Sequence, residues 1–145
     1  MTTATRLPSA PTDPWRSHPT QIVSIVDETP GVRTYELAFE EVAIRAGYTF
    51  AAGQFNMLYL PGIGEAAISV SSDPDHRSTI AHTVRAVGNV TDALARLAVG
   101  EQVLVRGPFG TPWPTDGVEG TRRRDRGRRP GSRLAAGCDP PPFAA

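Results

Sequence analysis

Alternation of hydrophobic and polar residues is the main pattern in the first two thirds of the chain. In residues 32–39, Tyr35, Leu37 and Phe39 fall on one face of an extended segment, and polar or small residues fall on the other. This period of two is typical of a half-buried strand. Similar apolar and β-branched segments recur between turn signals that contain glycine or proline. The six predicted strands are residues 21–26, 32–39, 53–60, 66–71, 79–87 and 102–106.

One segment has helical spacing. Leu94 and Leu97 lie three residues apart shortly after Gly88, which ends the fifth predicted strand, and they predict a short helix over about 91–97. Residues 40–52 are predicted to form a loop. Short strands with a single helix between the last two indicate an all-β domain, a small antiparallel barrel or sandwich. We expect a six-stranded antiparallel Greek-key barrel, whose closure would remove exposed sheet edges.

The two ends of the chain differ in composition from the segment between them. Residues 1–18 are rich in proline and residues 116–145 in arginine and proline, which predicts a disordered arm and a disordered tail. A single domain is expected between them, over residues 19–115. The 145-residue chain carries 15 arginines, 15 acidic residues and no lysine. Its formal charge is therefore zero, although seven of the arginines lie in residues 121–145.

Several classes of site are not expected. The single cysteine, Cys138, excludes a disulfide within the chain and a metal site built from cysteines. The three histidines, His18, His76 and His82, lack the spacing of metal ligands, so no metal site is predicted. No apolar run has the length of a signal peptide or a membrane span. We therefore expect a cytoplasmic protein without a membrane partner.

The candidate chemistry lies where the fifth strand passes into the helix. Backbone N–H groups at a helix start favour an anion, and phosphate is the commonest biological one. Gly88 allows a ligand to approach the backbone, Thr91 can cap the helix or donate to a phosphate oxygen, and Arg85 reaches the same charge. Strand–glycine–helix turns also occur without ligands, so a purely structural role remains open for each residue.

Four motifs then occur in order along the chain. They are Gly53-Gln54-Phe55, Ile68-Ser69-Val70-Ser71-Ser72, Arg85-Ala86-Val87-Gly88-Asn89-Val90-Thr91 and Gly107-Pro108-Phe109-Gly110. Together they resemble the FAD-binding barrel of the ferredoxin–NADP reductase superfamily. Within it they most resemble the gamma, diaphorase-type subunits of nickel–iron hydrogenases and sulfhydrogenases, and the B subunit of anaerobic sulfite reductase. The resemblance extends over roughly residues 20–115.

This resemblance implies where FAD binds. The flavin ring would lie beside the strand with the family's Arg-x-Tyr-Ser motif, and the diphosphate at the helix start. Ser69 keeps the serine position, next to flavin N5, whereas Ala66 and Ile68 replace the arginine and the tyrosine. Affinity would then depend more on Arg85 and on the turn that follows it. The implied FAD-binding residues are Ala67, Ile68, Ser69, Val70, Thr83, Val84, Arg85, Gly88, Asn89, Val90 and Thr91.

Some roles stay open at this stage. Ile68 and Val70 also suit a barrel core, and Arg85 also suits a solvated strand position. Phe109 and Trp113 either cover the flavin edge or close the barrel. No side chain is predicted to act as a catalytic acid, base or nucleophile, and Ser69 is the best candidate for tuning flavin N5.

The resemblance implies the FAD-binding domain of a flavin-dependent electron-transfer subunit, with hydrogenase- or reductase-type partner subunits. Relatives continue into a nicotinamide-nucleotide domain and a four-cysteine iron–sulfur site, whereas this chain continues into the arginine-rich tail. We therefore expect it to lack NAD(P)H binding and the iron–sulfur cluster, and a shifted reading frame near Thr121 would explain the change. The alternative is a non-catalytic β-barrel interaction module with a basic tail for nucleic acid or an acidic partner.

Overall fold

The fold is mainly an antiparallel sheet. A computed structural model describes residues 13–76 and 78–114 of the chain. Its elements are β1 (His18–Thr29), β2 (Val32–Phe39), α1 (Val42–Gly47), β3 (Phe55–Leu60), β4 (Gly64–Ser69), β5 (Ile80–Arg85), α2 (Asn89–Leu94) and β6 (Gln102–Phe109). The strands form one sheet in the order β4-β3-β6-β1-β2-β5. The predicted all-β class with six antiparallel strands is therefore confirmed.

Some predictions concern residues that the structure does not describe. These are the first twelve residues of the predicted arm, the predicted tail with Cys138, and the proposed frame change near Thr121. Within the described part, Asp13 and Trp15 belong to a turn that precedes β1.

The core lies on the inner face of the sheet. Tyr35, Leu37 and Phe39 are buried, as their alternation in β2 predicted. They pack in one cluster with apolar side chains from the other strands, including Ile22 of β1 and Val103 of β6. Period-two alternation thus gives the curled sheet one apolar inner face.

The predicted closure of the barrel is wrong, because no strand ladder joins the two edge strands, β4 and β5. Ser69, the last residue of β4, accepts a hydrogen bond on its carbonyl from the side chain of His82 instead of from a β5 backbone N–H. The connecting segment then approaches β5 through the N–H of Ser71, which donates to the carbonyl of Ala81 at 2.8 Å. The edge is bridged by single hydrogen bonds rather than by a continuous ladder.

The prediction of a single helix is also wrong. α1 lies inside the predicted loop 40–52, and it has neither a side-chain N-cap nor a buried residue. It is held instead by the guanidinium of Arg45, which donates to the carbonyl of Phe39 at 2.9 Å. Contacts of this kind leave no periodic signal in the sequence. α2 begins two residues earlier than predicted and buries Leu94 against the core.

Three strands extend beyond their predicted bounds, and one of them is β4, which begins at Gly64 and ends at Ser69 instead of spanning residues 66–71. β1 begins at His18, because residues 18–21 pair with β6, and it ends at Thr29, because the second half pairs with β2. β6 continues to Phe109, which pairs with β3. Neither described helix is long enough to cross a bilayer, since each has six residues.

Candidate functional site

The outer faces of β4 and β5 bring the central predicted residues together. Ala67 and Ser69 on β4, and Thr83 and Arg85 on β5, all have exposed side chains. The two edge strands approach each other in space, because the hydroxyl of Thr83 on β5 donates to that of Ser71, two residues after the end of β4, at 3.2 Å. Alternation sends these side chains outward, and it sends the residues between them toward the core. The result is an open, mainly polar strip where the two edges of the curled sheet approach each other.

The other predicted strand residues have structural surroundings. Val84 is buried, and Ile68 is half-buried against the core, so both contribute packing beneath the strip. Val70 is half-buried, and its N–H donates to the carbonyl of Gln54 at 3.0 Å. For Ile68 and Val84 the core role is thus the one that the contacts support.

The turn before α2 holds itself together through Thr91. The N–H groups of Val87 and Gly88 donate to Thr91 Oγ1 at 3.1 and 3.0 Å. The Thr91 hydroxyl in turn donates to the carbonyl of Gly88 at 3.1 Å. Of the two roles that the sequence left open for Thr91, the geometry supports capping. Because α2 has only six residues, its dipole is weak. An anion at this turn would therefore depend on backbone N–H groups and on a side-chain cation.

Gly88 leaves the space above the turn open. Its backbone is extended, with φ −164°, and a Cβ built there would meet no atom of residues 13–76 and 78–114 within 4 Å. Neither strain nor crowding in the protein therefore requires glycine at this position. An approaching ligand would be a reason for it, as the sequence predicted. Asn89 is exposed beside Gly88, whereas Val90 is half-buried and anchors the start of α2.

The two predicted ends of the site correspond to the two ends of β4. Val90 Cγ2 lies 3.4 Å from where a Cβ of Gly64, the first residue of β4, would be. Ser69 lies five residues further along the strand, which corresponds to about 17 Å. A ligand that reaches both must therefore be long, and it must lie along the outer strip.

Arg85 supplies a cation beside this strip. It is the last residue of β5 and is exposed, three residues before Gly88. Within residues 13–76 and 78–114, no ion pair or hydrogen bond engages its guanidinium. Its charge is thus available to an anion at the turn.

Glu65 places a carboxylate on the same strip, and Arg106 neutralises it. Two hydrogen bonds join them, Nε to Oε2 at 3.0 Å and Nη2 to Oε1 at 2.6 Å. The hydrogen bond from Arg106 lowers the pKa of Glu65. The guanidinium carbon of Arg106 also lies 5.4 Å from the ring centre of Phe109.

Aromatic side chains surround the Ser69 end of the strip. Phe55 is paired with Ser69 across β3 and β4, and its ring centre lies 5.8 Å from that of Phe109. Trp113 lies against Gly53, where a Cβ would overlap the indole ring, but 66% of its surface is exposed. An exposed indole next to the strip adds apolar surface that a planar ligand can use.

Two inward-facing polar residues escaped the sequence analysis as parts of the site. Asn56 and His82 are fully buried below Ser69, and burial lowers the pKa of His82 to about 4. Both occupy inward positions of their strands, Asn56 before Leu58 and His82 after Ile80. That alternation was the signal available in the sequence. The histidines were considered only for the spacing of metal ligands, and that spacing does not show that His82 points inward.

A cavity of about 510 Å³ lies between the β1–β2 turn and α2. It shares Val84 and Thr91 with the predicted site. Its polar wall contains Arg33, whose Nε donates to Asp27 at 2.6 Å and whose Nη1 donates to the carbonyl of Ala95 at 2.9 Å. No pattern in the sequence predicted this cavity.

Sequence comparison relates the chain to electron-transfer subunits. The gamma subunit of sulfhydrogenase 1 from Pyrococcus furiosus is 35% identical over 108 residues, which are 74% of this chain and 37% of that subunit. A probable dihydroorotate dehydrogenase B (NAD(+)) electron transfer subunit from Methanocella arvoryzae is 34% identical over 92 residues, or 63% of this chain and 31% of the subunit. No protein-family model matches the sequence.

Solved structures of reductases have a similar fold. A cytochrome P450 reductase from Amycolatopsis has a TM-score of 0.59 at 27% identity, and the match covers 69% of this chain and 30% of that one. The described domain is similar in fold to the FAD-binding domains of ferredoxin–NADP reductase-like proteins. A ferredoxin NADP+ reductase from Neisseria gonorrhoeae, solved with bound FAD and NADP, shares the fold of this domain with a TM-score of 0.56 at 24% identity, over 66% of this chain and 39% of its own.

The superfamily resemblance drawn from the four motifs is thus confirmed. The chain spans less than two fifths of the length of the curated relatives described above. Among the described residues of this domain, no group of three or more His, Cys, Asp or Glu side chains converges to hold a metal ion.

Proposed function

We propose that this domain binds FAD along the outer strip of β4 and β5, as the flavin-binding part of an electron-transfer oxidoreductase subunit. The observation that carries the proposal is one open surface that holds Ser69, Thr83, Arg85 and the unobstructed backbone at Gly88. Its length suits a dinucleotide, with the diphosphate near Arg85 and the flavin ring near Ser69. The superfamily relatives support this choice of cofactor.

The chain's own residues would bind and orient the cofactor. Arg85 offsets the diphosphate charge, the backbone at Gly88 allows close approach, and Ser69 offers a hydroxyl beside the flavin ring. The bound flavin would supply the hydride and single-electron chemistry. Within the described residues, the strip holds no arrangement of a nucleophile with a base, so its role is to position the flavin and adjust its electrostatic surroundings.

The wider activity belongs to the proposal as well. Two relatives are named as subunits of a sulfhydrogenase and of a dihydroorotate dehydrogenase. We propose that this domain likewise exchanges electrons with hydrogenase- or reductase-type partner subunits in the cytoplasm. The NAD(P)H and iron–sulfur steps would take place outside residues 13–114.

A glycine substitution tests the proposed position of the diphosphate. In Gly88→Ala the added methyl group meets no atom of the described residues, so folding should be almost unaffected. It would however block the approach of a phosphate group, and we expect FAD affinity to fall at least tenfold. FAD fluorescence quenching measures the affinity, and thermal unfolding without FAD checks the fold.

The charge is tested with a matched pair of arginine variants. Arg85→Gln should weaken FAD binding about tenfold, the effect of one charge-assisted hydrogen bond. Arg96→Gln removes the same charge from an exposed position beyond α2 and should have little effect. Equal FAD affinity of the two variants and of wild type would contradict the proposed site.

The alternative function gives different results in the same assays. A non-catalytic interaction module would purify colourless and leave FAD fluorescence unquenched. A nucleic-acid partner of the basic tail would give a salt-dependent affinity that disappears when residues 121–145 are removed.

A further inference from the structure

A chain of buried hydrogen bonds ends directly below Ser69. The hydroxyl of Tyr48 donates to Asn56 Oδ1 at 2.7 Å, and Asn56 Nδ2 lies 3.3 Å from His82 Nε2. His82 Nδ1 lies 3.0 Å from the carbonyl oxygen of Ser69. Tyr48 is 6% exposed, and Asn56 and His82 are fully buried. Three polar side chains thus connect the core to the end of β4.

The direction of each hydrogen bond follows from the first. Because the carbonyl group of Asn56 accepts from Tyr48, its amide nitrogen donates, and His82 Nε2 must be the acceptor. The proton of the neutral imidazole therefore lies on Nδ1, which donates to the Ser69 carbonyl. Burial keeps the imidazole neutral, since it lowers the pKa of His82 to about 4.

The peptide group between Ser69 and Val70 is held from two sides. The imidazole of His82 contacts the carbonyl of Ser69 on one side. On the other side, the N–H of Val70 donates to the carbonyl of Gln54 at 3.0 Å. Gln54 is itself fixed by the N–H of Ala51, which donates to Oε1 at 2.9 Å, and by its own Nε2, which donates to the carbonyl of Gly110. The orientation of the peptide group between Ser69 and Val70 is therefore fixed by contacts behind the strip.

We propose that His82 is a positioning residue for the flavin, whose Nδ1–H fixes the Ser69 peptide and thereby aims the Ser69 hydroxyl at the ring. This inference rests on the proposed FAD site. If the role of His82 were purely structural, any side chain that fills the space and satisfies the buried hydrogen bonds would replace it. A positioning role also requires that the flavin itself responds when the bond to Ser69 is lost.

Two amide substitutions separate the roles of the two ring nitrogens. In His82→Asn the amide nitrogen takes the place of Nδ1 and can still donate to Ser69. In His82→Gln the longer amide takes the place of Nε2, so it can keep the contact to Asn56 but loses the one to Ser69. Because both variants bury one side-chain amide, we expect similar free energies of unfolding, so each variant serves as the control for the other.

The readouts are FAD affinity, the flavin absorbance spectrum and the flavin midpoint potential of the full chain. We expect His82→Asn to stay within about twofold of wild type in affinity, with an unchanged spectrum and potential. His82→Gln should bind FAD about tenfold more weakly, the effect of one hydrogen bond in free-energy terms, with a shifted potential. Identical flavin properties in the two variants would overturn the proposal.

Nitrogen NMR of the wild-type imidazole keeps the test decisive if a variant does not fold. We expect the Nδ1–H tautomer, and a change in the His82 nitrogen shifts when FAD is added. An Nε2–H tautomer, or nitrogen shifts that FAD leaves unchanged, would overturn the positioning role while FAD binding itself stands. Absence of FAD binding by wild type would instead reject the proposed function, and the positioning role with it.

Discussion

The guanidinium of Arg106 holds the carboxylate of Glu65 through two hydrogen bonds, at 3.0 and 2.6 Å. Glu65 lies on the outward face of β4, on the side where Gly64 approaches the start of α2. An unpaired carboxylate here would repel a diphosphate. The ion pair between β4 and β6 thus helps to keep the proposed cofactor surface receptive to an anion.

Arg106→Met should therefore weaken FAD binding, by on the order of two- to fivefold, because the Glu65 charge is no longer offset. The double variant Glu65→Gln/Arg106→Met should recover most of the affinity, since it removes both charges. Titration of FAD at low and at high salt measures the effect, which salt should reduce. A double variant as weak as the single one would show that the Glu65 charge does not act on the cofactor.

Gly107→Ala should destabilise the fold by about 3 kcal/mol. Gly107 has φ +140°, and a Cβ there would overlap Oδ1 of Asn56, which belongs to the buried hydrogen-bond chain. Gly62→Ala is the matched control, because φ is +79° and, in the part of the chain that the structure describes, no atom lies within 4 Å of the added Cβ. It should cost about 1 kcal/mol. Urea unfolding of both variants measures the difference, and equal losses would contradict the role assigned to the Asn56 contact.

Stability should decrease as the pH falls from about 6.5 toward 4. Burial lowers the pKa of His82 from its ordinary value of 6.5 to about 4, so the unfolded chain takes up a proton in this range while the folded protein does not. The stabilisation from the neutral imidazole is complete above pH 6.5, and about 3 kcal/mol is lost by pH 4.

Urea unfolding across this pH range tests that prediction. His82→Asn should flatten the dependence between pH 6.5 and 4, because an amide does not titrate. His76→Gln serves as the control, since His76 is exposed, and should keep the wild-type slope. The same slope in all three proteins would mean that other groups cause it.

Gly53→Ala should displace Trp113. Gly53 has φ +92°, and a Cβ there would overlap the indole ring. The backbone of Trp113 cannot easily move away with the ring, because its N–H donates to the carbonyl of Ala52 at 2.9 Å. Measured in a Trp15→Phe background, the Trp113 emission should shift to longer wavelength as the indole gains solvent. Gly31→Ala in the same background should leave the emission unchanged, because none of the described residues lies within 4 Å of the added Cβ.

Local patterns determined much of the fold in advance. The alternation that buries Tyr35, Leu37 and Phe39 follows from the geometry of a strand with one apolar face. The predicted strands 21–26 and 32–39 likewise placed the β1–β2 connection between them, where Pro30 and Gly31 form the turn. α1 was missed because tertiary contacts stabilise it, chiefly the Arg45 hydrogen bond to Phe39, and not helical periodicity.

The sequence by itself determined the all-β class, the approximate strand positions and the motifs that identify the superfamily, since these depend on short-range periodicity and on residue type. The same alternation contained the signal for the inward positions of Asn56 and His82, although neither position was predicted. Only the tertiary structure decided that these two side chains meet, because β3 and β5 are not neighbours in the sheet and come together only where it curls. The open edge at Ser69 and the pairing of Glu65 with Arg106 were decided in the same way, by contacts between residues far apart in the chain.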